Sequence, residues 1–265
     1  MKTTIKFNTD DGDSNPWKRP QRPSYEDHIL KPEFKKLQLR FENGETWLRI
    51  LPSVNGSAYG WLFPIQTLKY KNGQFAHPRT LRPNAKSVFD HAYSYLREFE
   101  PQLLYSKVNK TGARLLSSPR CAFWAIAYSE TGDHALKLVV ESGYDGTRGG
   151  ARGLGYEIWR KVNEKDENGE PVNNAVHPHD GVLICVERSK PQNTDYANYS
   201  VRIGRQRCPV DELLEKVNPA GTKTLCPLEQ VIHDPSEEDQ WTYLTRVLTP
   251  EMVDKIRANI LRRAS

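Results

Sequence analysis

Hydrophobic and polar positions recur at two different periods along this chain, and the switches between them mark out its elements. Residues 46–51 alternate strictly, with Leu48 and Ile50 on one side and Trp47 and Arg49 on the other, as successive side chains of a strand do. With residues 37–42 before it and Asn43-Gly44 between, this pattern predicts a β-hairpin. Residues 59–70 read as a long strand in which Tyr59, Trp61 and Phe63 share a face and Pro64 marks a break or bulge. Asn72-Gly73 predicts a second hairpin, into 74–77. Residues 84–99 then change to helical period, with Val88, Phe89, Ala92, Leu96 and Phe99 as the apolar stripe between Pro83 and Pro101. From 120 to 128 the alternation returns: Cys121, Phe123, Ala125 and Ala127 on one face, Arg120, Trp124 and Tyr128 on the other. A turn at 130–133 leads into a further strand, 135–142.

A glycine- and arginine-rich stretch, 143–155, opens a short helix at 156–162 and is followed by an acidic loop, 164–170. The apolar run 182–188 and the alternating run 196–204 predict two more strands, with Tyr199, Val201 and Ile203 on one face of the latter. Tyr196, Asn198, Ser200 and Arg202 take its other face. Val210, Leu213, Leu214 and Val217 give a clean helical stripe. A last helix is capped by Thr249, starts on Pro250 and buries Val253, Ile256 and Ile260. No internal repeat is evident. The pattern predicts a β-rich α+β protein with a polar arm at 1–36, a core at 37–208 with a helical insertion around 84–100, and a helical extension at 209–265.

Composition narrows the classes. A formal charge of +5 and a pI near 8.9 permit an anionic partner without demanding one. Aromatic usage of 10%, with 6 Trp and 12 Tyr, suits stacking as well as core packing. Cys121, Cys185, Cys208 and Cys226 form no paired spacing, so neither a structural zinc site nor a disulfide framework is indicated. No apolar run approaches membrane-spanning length and the start, MKTTIKFNTDDGD, lacks an apolar signal region. A soluble intracellular protein with reduced thiols is the expectation.

Three constellations invite chemistry. The stretch GTRGGARGLG lacks the Gly-Lys-Ser/Thr and the GxGxxG spacing of phosphate loops. Its Arg148 and Arg152 leave two readings open, a loop that sweeps over an anion or a plain flexible loop. His177, His179, Asp180 and Cys185 lie close in sequence, but a cysteine inside an apolar strand is more often packing than a ligand, so no metal is expected. Asp180 followed by Glu187-Arg188-Ser189-Lys190 approaches the acid…acid-x-Lys pattern of metal-dependent nucleases. That chemistry wants the second acid and the lysine two residues apart; here they are three apart, on opposite strand faces. No Ser or Cys has the neighbourhood of a nucleophile. The recurrent feature is an aromatic and a basic residue on the non-core face of successive strands: Trp47 with Arg49, Trp124 with Arg120, Tyr196 with Arg202. Stacking plus backbone neutralisation is the physics of sequence-tolerant single-strand binding.

From WLRILP to HDGVLICVERSKPQNTDYANYSVRIG the chain resembles the single-stranded-DNA-binding proteins of tailed bacteriophages, helix-destabilising proteins built on an OB-fold. The two best matches are Arg49-Ile50-Leu51-Pro52 and the block 180–204, within a loose resemblance over 37–214. The resemblance implies an elaborated five-stranded OB-fold barrel with helical insertions and a C-terminal helical segment. It implies coating of single-stranded DNA during phage replication, recombination or repair in the host bacterial cytoplasm, with no catalytic residue, cofactor or membrane. Further implied partners are other copies along the strand and phage replication proteins. Strand parity then assigns stacking to Trp47, Tyr59, Trp61, Trp124, Tyr128 and Tyr196, and phosphate contact to Arg49, Lys69, Arg120, Lys137, Arg188 and Arg202. Many relatives carry an inserted His/Cys zinc site; here His77 and His91 have no cysteine near them. The well-studied members end in an acidic tail, whereas this chain ends in a basic helix. The alternatives are a metal-dependent nuclease using Asp180 and Glu187, and a protein-binding factor that inhibits a host system.

Overall fold

The computed structural model describes residues 26–53, 60–70, 73–105, 114–128, 134–143, 153–190, 197–217 and 225–264. The strands are β1 (Glu26–His28), β2 (Gly44–Ile50), β3 (Phe63–Tyr70), β4 (Gly73–Ala76), β5 (Arg114–Tyr128), β6 (His134–Ser142), β7 (Val182–Ser189) and β8 (Asn198–Arg207). The helices are α1 (Pro32–Lys35), α2 (Val88–Phe99), α3 (Pro101–Tyr105), α4 (Leu154–Val162), α5 (Val210–Val217), α6 (Leu228–Val231), α7 (Glu237–Val247) and α8 (Pro250–Ala264).

The sheet is built on β5, whose 15 residues reach past any single partner. Along one edge β5 pairs first with β3, from Arg114 opposite Lys69 to Ala122 opposite Phe63. The same edge then pairs with β2, from Ala125 opposite Ile50 to Tyr128 opposite Trp47. β2 and β3 therefore lie end to end, and β6 lines the opposite edge from Arg120 to Tyr128. Beyond β2 come β7 and β8, both antiparallel. Beyond β3 come β4, antiparallel, and β1, parallel. The result is a mixed α+β fold on an open eight-stranded sheet. The closed barrel expected from the sequence is not found: among the described residues β6 and β8 share no ladder. A helix stands there instead, since α4 packs against both β6 and β8. Gly155 permits that approach, because a Cβ there would sit 2.5 Å from the Cys121 Sγ.

Both faces of the sheet are covered. On one, Leu48, Ile50, Phe123, Ala125, Val139, Ile184 and Val186 pack under Leu154, Ile158 and Val162 of α4. On the other, Trp124, Ile126, Leu136 and Leu138 pack under Val210 and Leu213 of α5, Leu228 and Val231 of α6, and Ile29 and Leu30. A third cluster joins Leu68 and Phe75 of the β3–β4 wing to α2, α7 and α8. Side chains from the chain after 208 thus contribute to two of these clusters.

Several local expectations change. The stretch 37–42 does not pair with β2: Leu39 N donates to Leu138 O, and Leu138 N to Leu37 O, tying it to β6. Gly44 does take a positive φ, 106°, but it turns the chain between β6 and β2 rather than within a hairpin. The β3–β4 hairpin is present, with Tyr70 opposite Gly73. The helix expected from 84 starts at Val88, where Ser87 and Asp90 form a capping box. A second capping box, Ser236 with Asp239, starts α7, a helix the sequence pattern did not predict.

Candidate functional site

Arg49 is the clearest correction. It shares the strand face of Trp47, as alternation requires, but it is fully buried and cannot meet a phosphate there. Its guanidinium donates to four backbone carbonyls: Cys208 O at 2.7 Å, Ile50 O at 2.6 Å, Ala175 O at 2.7 Å, and His177 O. Burial pushes its pKa down, with Cys208 and Tyr128 pulling the other way. Those bonds knot β2 to the loop before β7 and to the end of β8; the role is architectural.

Trp124 is the second correction. It shares a face with Arg120 and Tyr128 as expected, but that face is roofed by α5, α6 and the start of the chain's described part. The Trp124 ring is 2% exposed, donates its indole N–H to Cys226 O at 2.9 Å, and meets Phe34 edge-on. A base has no access to it. Tyr128, half-buried, meets the His134 ring at a tilt, 4.3 Å between centroids, and its hydroxyl lies 2.7 Å from Cys208 Sγ. Burial pushes its phenol up, and the Cys208 bond adds to that.

The remaining residues scatter. Arg120 is half-buried, and its Nε is a buried donor with no hydrogen-bond partner. Trp61 is half-buried against Phe123, edge-on at 5.6 Å. Lys69 and Lys137 are half-buried on β3 and β6. Arg188, also half-buried, donates to Asn43 Oδ1 at 2.7 Å. Tyr59 and Tyr196 lie outside the described residues.

The expected residues that do come together are Trp47 and Arg202. Register places Cys185 opposite both, so the three share one face of β2, β7 and β8. Trp47 is half-buried and lies over Gly204, where a Cβ would come within 3.2 Å of its ring. Arg202 is exposed and ion-paired to Glu45. Glu45 and Glu187 are opposite each other in register, so this face carries two carboxylates beside the exposed Arg202. Burial, then Glu45, pushes the Cys185 thiol up, which keeps it protonated.

Sequence reasoning overlooked the far end of β8 and the outer side of α4. Arg205 and Arg207 are exposed, Arg207 pairing with Asp180 at 3.3 Å. On α4, Tyr156 and Trp159 stack on each other at 6.0 Å with planes 28° apart. The signal available was the i, i+3 spacing of two aromatics outside the Leu154/Ile158/Val162 stripe.

The nuclease alternative loses its geometry. Asp180 lies before β7 and Glu187 near its far end, which at about 3.3 Å per residue is roughly 20 Å away. Glu187 accepts from the Ser200 hydroxyl, while Asp180 is engaged by His177 and Arg207. Among the described residues no group of three or more His, Cys, Asp or Glu converges as metal ligands would. No described helix is long and apolar enough to cross a membrane. No family model matches the chain, and no curated protein matches it.

Proposed function

We propose that the chain binds single-stranded nucleic acid, DNA first, without sequence specificity, on an OB-type sheet whose last pairing is left open. The observation that carries this reading is the connectivity β6-β5-β2-β7-β8, every neighbour antiparallel. Counting only those five strands along the chain, the order is 3-2-1-4-5. That is the order of the five-stranded OB barrel opened between its third and fifth strands. The helix between the third and fourth, α4, packs on both strands flanking the gap. The two-part edge of β5 fits as well, with β2 continued by β3 as one long, interrupted first strand. OB folds bind oligonucleotides and oligosaccharides, and the exposed arginines of β8 favour the polyanion. The roles in phage replication, recombination or repair, and the association with other copies and with replication proteins, belong to the same proposal.

The test is fluorescence anisotropy of labelled oligothymidylate, the matching duplex and an RNA of equal length, with magnesium present and the products run on a denaturing gel. Single-strand binding without cleavage supports the reading. Cleavage favours the nuclease, and no binding to any of the three favours a protein-directed factor.

A further inference from the structure

We propose that the single strand runs along the junction of α4 and β8, with Tyr156 and Trp159 as its stacking platform and Arg160, Tyr199 and Arg205 beside it. This rests on the nucleic-acid reading above and assigns the path within it. The face of β5 and β6 that the sequence pointed to is closed by fully buried aliphatic side chains, Val231 and Ile232 among them. Exposing several such side chains at once would cost more than a binding event returns. The Trp47–Arg202 face is open, but Glu45 and Glu187 stand side by side on it, and a phosphate run there meets both.

The α4–β8 junction is not roofed by buried aliphatic side chains, and Glu157, the carboxylate next to its rings, is paired to Arg160. Val201 and Ile203 turn into the core beneath α4. Alternation puts Tyr199 on that same side of β8, one step before Val201, and Arg205 follows Ile203 where the β7–β8 register shifts. Tyr199 is 38% exposed and Arg205 is exposed. On the helix, Tyr156 and Trp159 are half-exposed beside Arg160, which is 47% exposed and bound to Glu157 at 2.8 Å. A surface i, i+3 pair holds its arginine weakly, so the guanidinium is free to turn to a phosphate. Stacked rings flanked by arginines match an unpaired strand, whose bases are open to rings, and do not match a duplex, whose bases are covered.

The experiment compares Tyr156→Ala/Trp159→Ala, Arg205→Ala and Trp47→Ala with the unaltered full chain, using oligothymidylate anisotropy and a thermal melt for each. The melts ensure that only folded protein is compared. The expected result is single-strand affinity about fivefold or more weaker in the double variant, weaker in Arg205→Ala, and little changed in Trp47→Ala. If the unaltered chain binds and Trp47→Ala alone weakens it, the path is wrong and the binding function stands. If the unaltered chain does not bind, the function itself fails. Should the double variant lose its fold, Trp159→Phe and Arg160→Gln decide by the same comparison.

Discussion

The Arg49 guanidinium fills the space that a side chain at Gly181 would need: a Cβ there would lie 1.9 Å from an Arg49 Nη and 2.4 Å from His177 O. The glycine is required by close approach, not by backbone angle, since no positive φ is found at 181. Gly181→Ala must therefore displace the arginine from its carbonyls or shift the loop. We expect a loss of about 3 kcal/mol or more in urea unfolding. In an Arg49→Met background the same change should cost clearly less, because the clash partner is gone. Strict additivity of the two changes would show that they do not share this space.

Trp124 offers the plainest contrast between what the sequence says and what the fold does. Trp124→Ala should cost about 3–5 kcal/mol, as removal of a large core ring does. Trp124→Phe should cost less, losing mainly the bond to Cys226 O. Folded Trp124→Phe should bind oligothymidylate like the unaltered chain. A loss of affinity without a loss of stability would reopen the β5 face as the binding surface.

That contrast shows how far strand alternation reaches. Parity sorted Leu48 from Arg49 and Phe123 from Trp124 correctly, because side-chain direction is local. Whether a face is open is decided by what folds over it, and here α5 and α6 come from beyond residue 208. The pairing of 37–42 with β6 is non-local in the same way, whereas Asn43-Gly44 read alone suggests a hairpin. Helix α7 escaped because its buried stripe is Gln240, Tyr243, Leu244 and Val247, and its first member is polar. Gln240 is buried because its side chain receives Val88 N at 2.9 Å and donates to Pro235 O at 3.1 Å. The helices at 88, 210 and 250 were legible from their apolar stripes, and the last also from its cap, Thr249, whereas the Ser87–Asp90 box moved the start of α2 from 84 to 88. Of the residues expected to meet phosphate, Arg202 is exposed, as alternation predicts; Tyr156 and Trp159 stand on a helix, about which strand alternation says nothing.

His77 makes stability depend on pH. It is 7% exposed, its Nδ1 accepts from Arg79 N at 3.1 Å, and its pKa is pushed down to about 4. Burial is the main cause; Asp90 pulls the value up and Arg79 lowers it further. Between pH 4 and 6.5 the unfolded chain binds a proton that the folded chain refuses. The stabilising contribution is therefore complete above pH 6.5 and lost as the pH falls to about 4, for a total of about 3 kcal/mol. His77→Asn keeps an acceptor for Arg79 N and removes the titration. Chemical denaturation across this window should show a shallower slope in the variant; equal slopes would place the proton uptake elsewhere.

Salt titration separates the arginines that face solvent from the one that does not. Each phosphate neutralised releases counterions, so log affinity should fall linearly with log salt, by about 0.7 per contact for a single strand. Arg205→Ala should make that slope shallower by about one contact's share and leave the melting temperature nearly unchanged, since its side chain is exposed. Arg49→Lys should do the opposite. An ammonium cannot serve four carbonyls arranged around a planar fork, so stability should fall while the salt slope of the folded protein stays put. The paired titrations and melts, run well below the melting point of the weaker variant, decide between the surfaces. A shallower slope in Arg49→Lys would mean that this guanidinium leaves its carbonyls for a phosphate in the complex, and the architectural role given to it would be wrong.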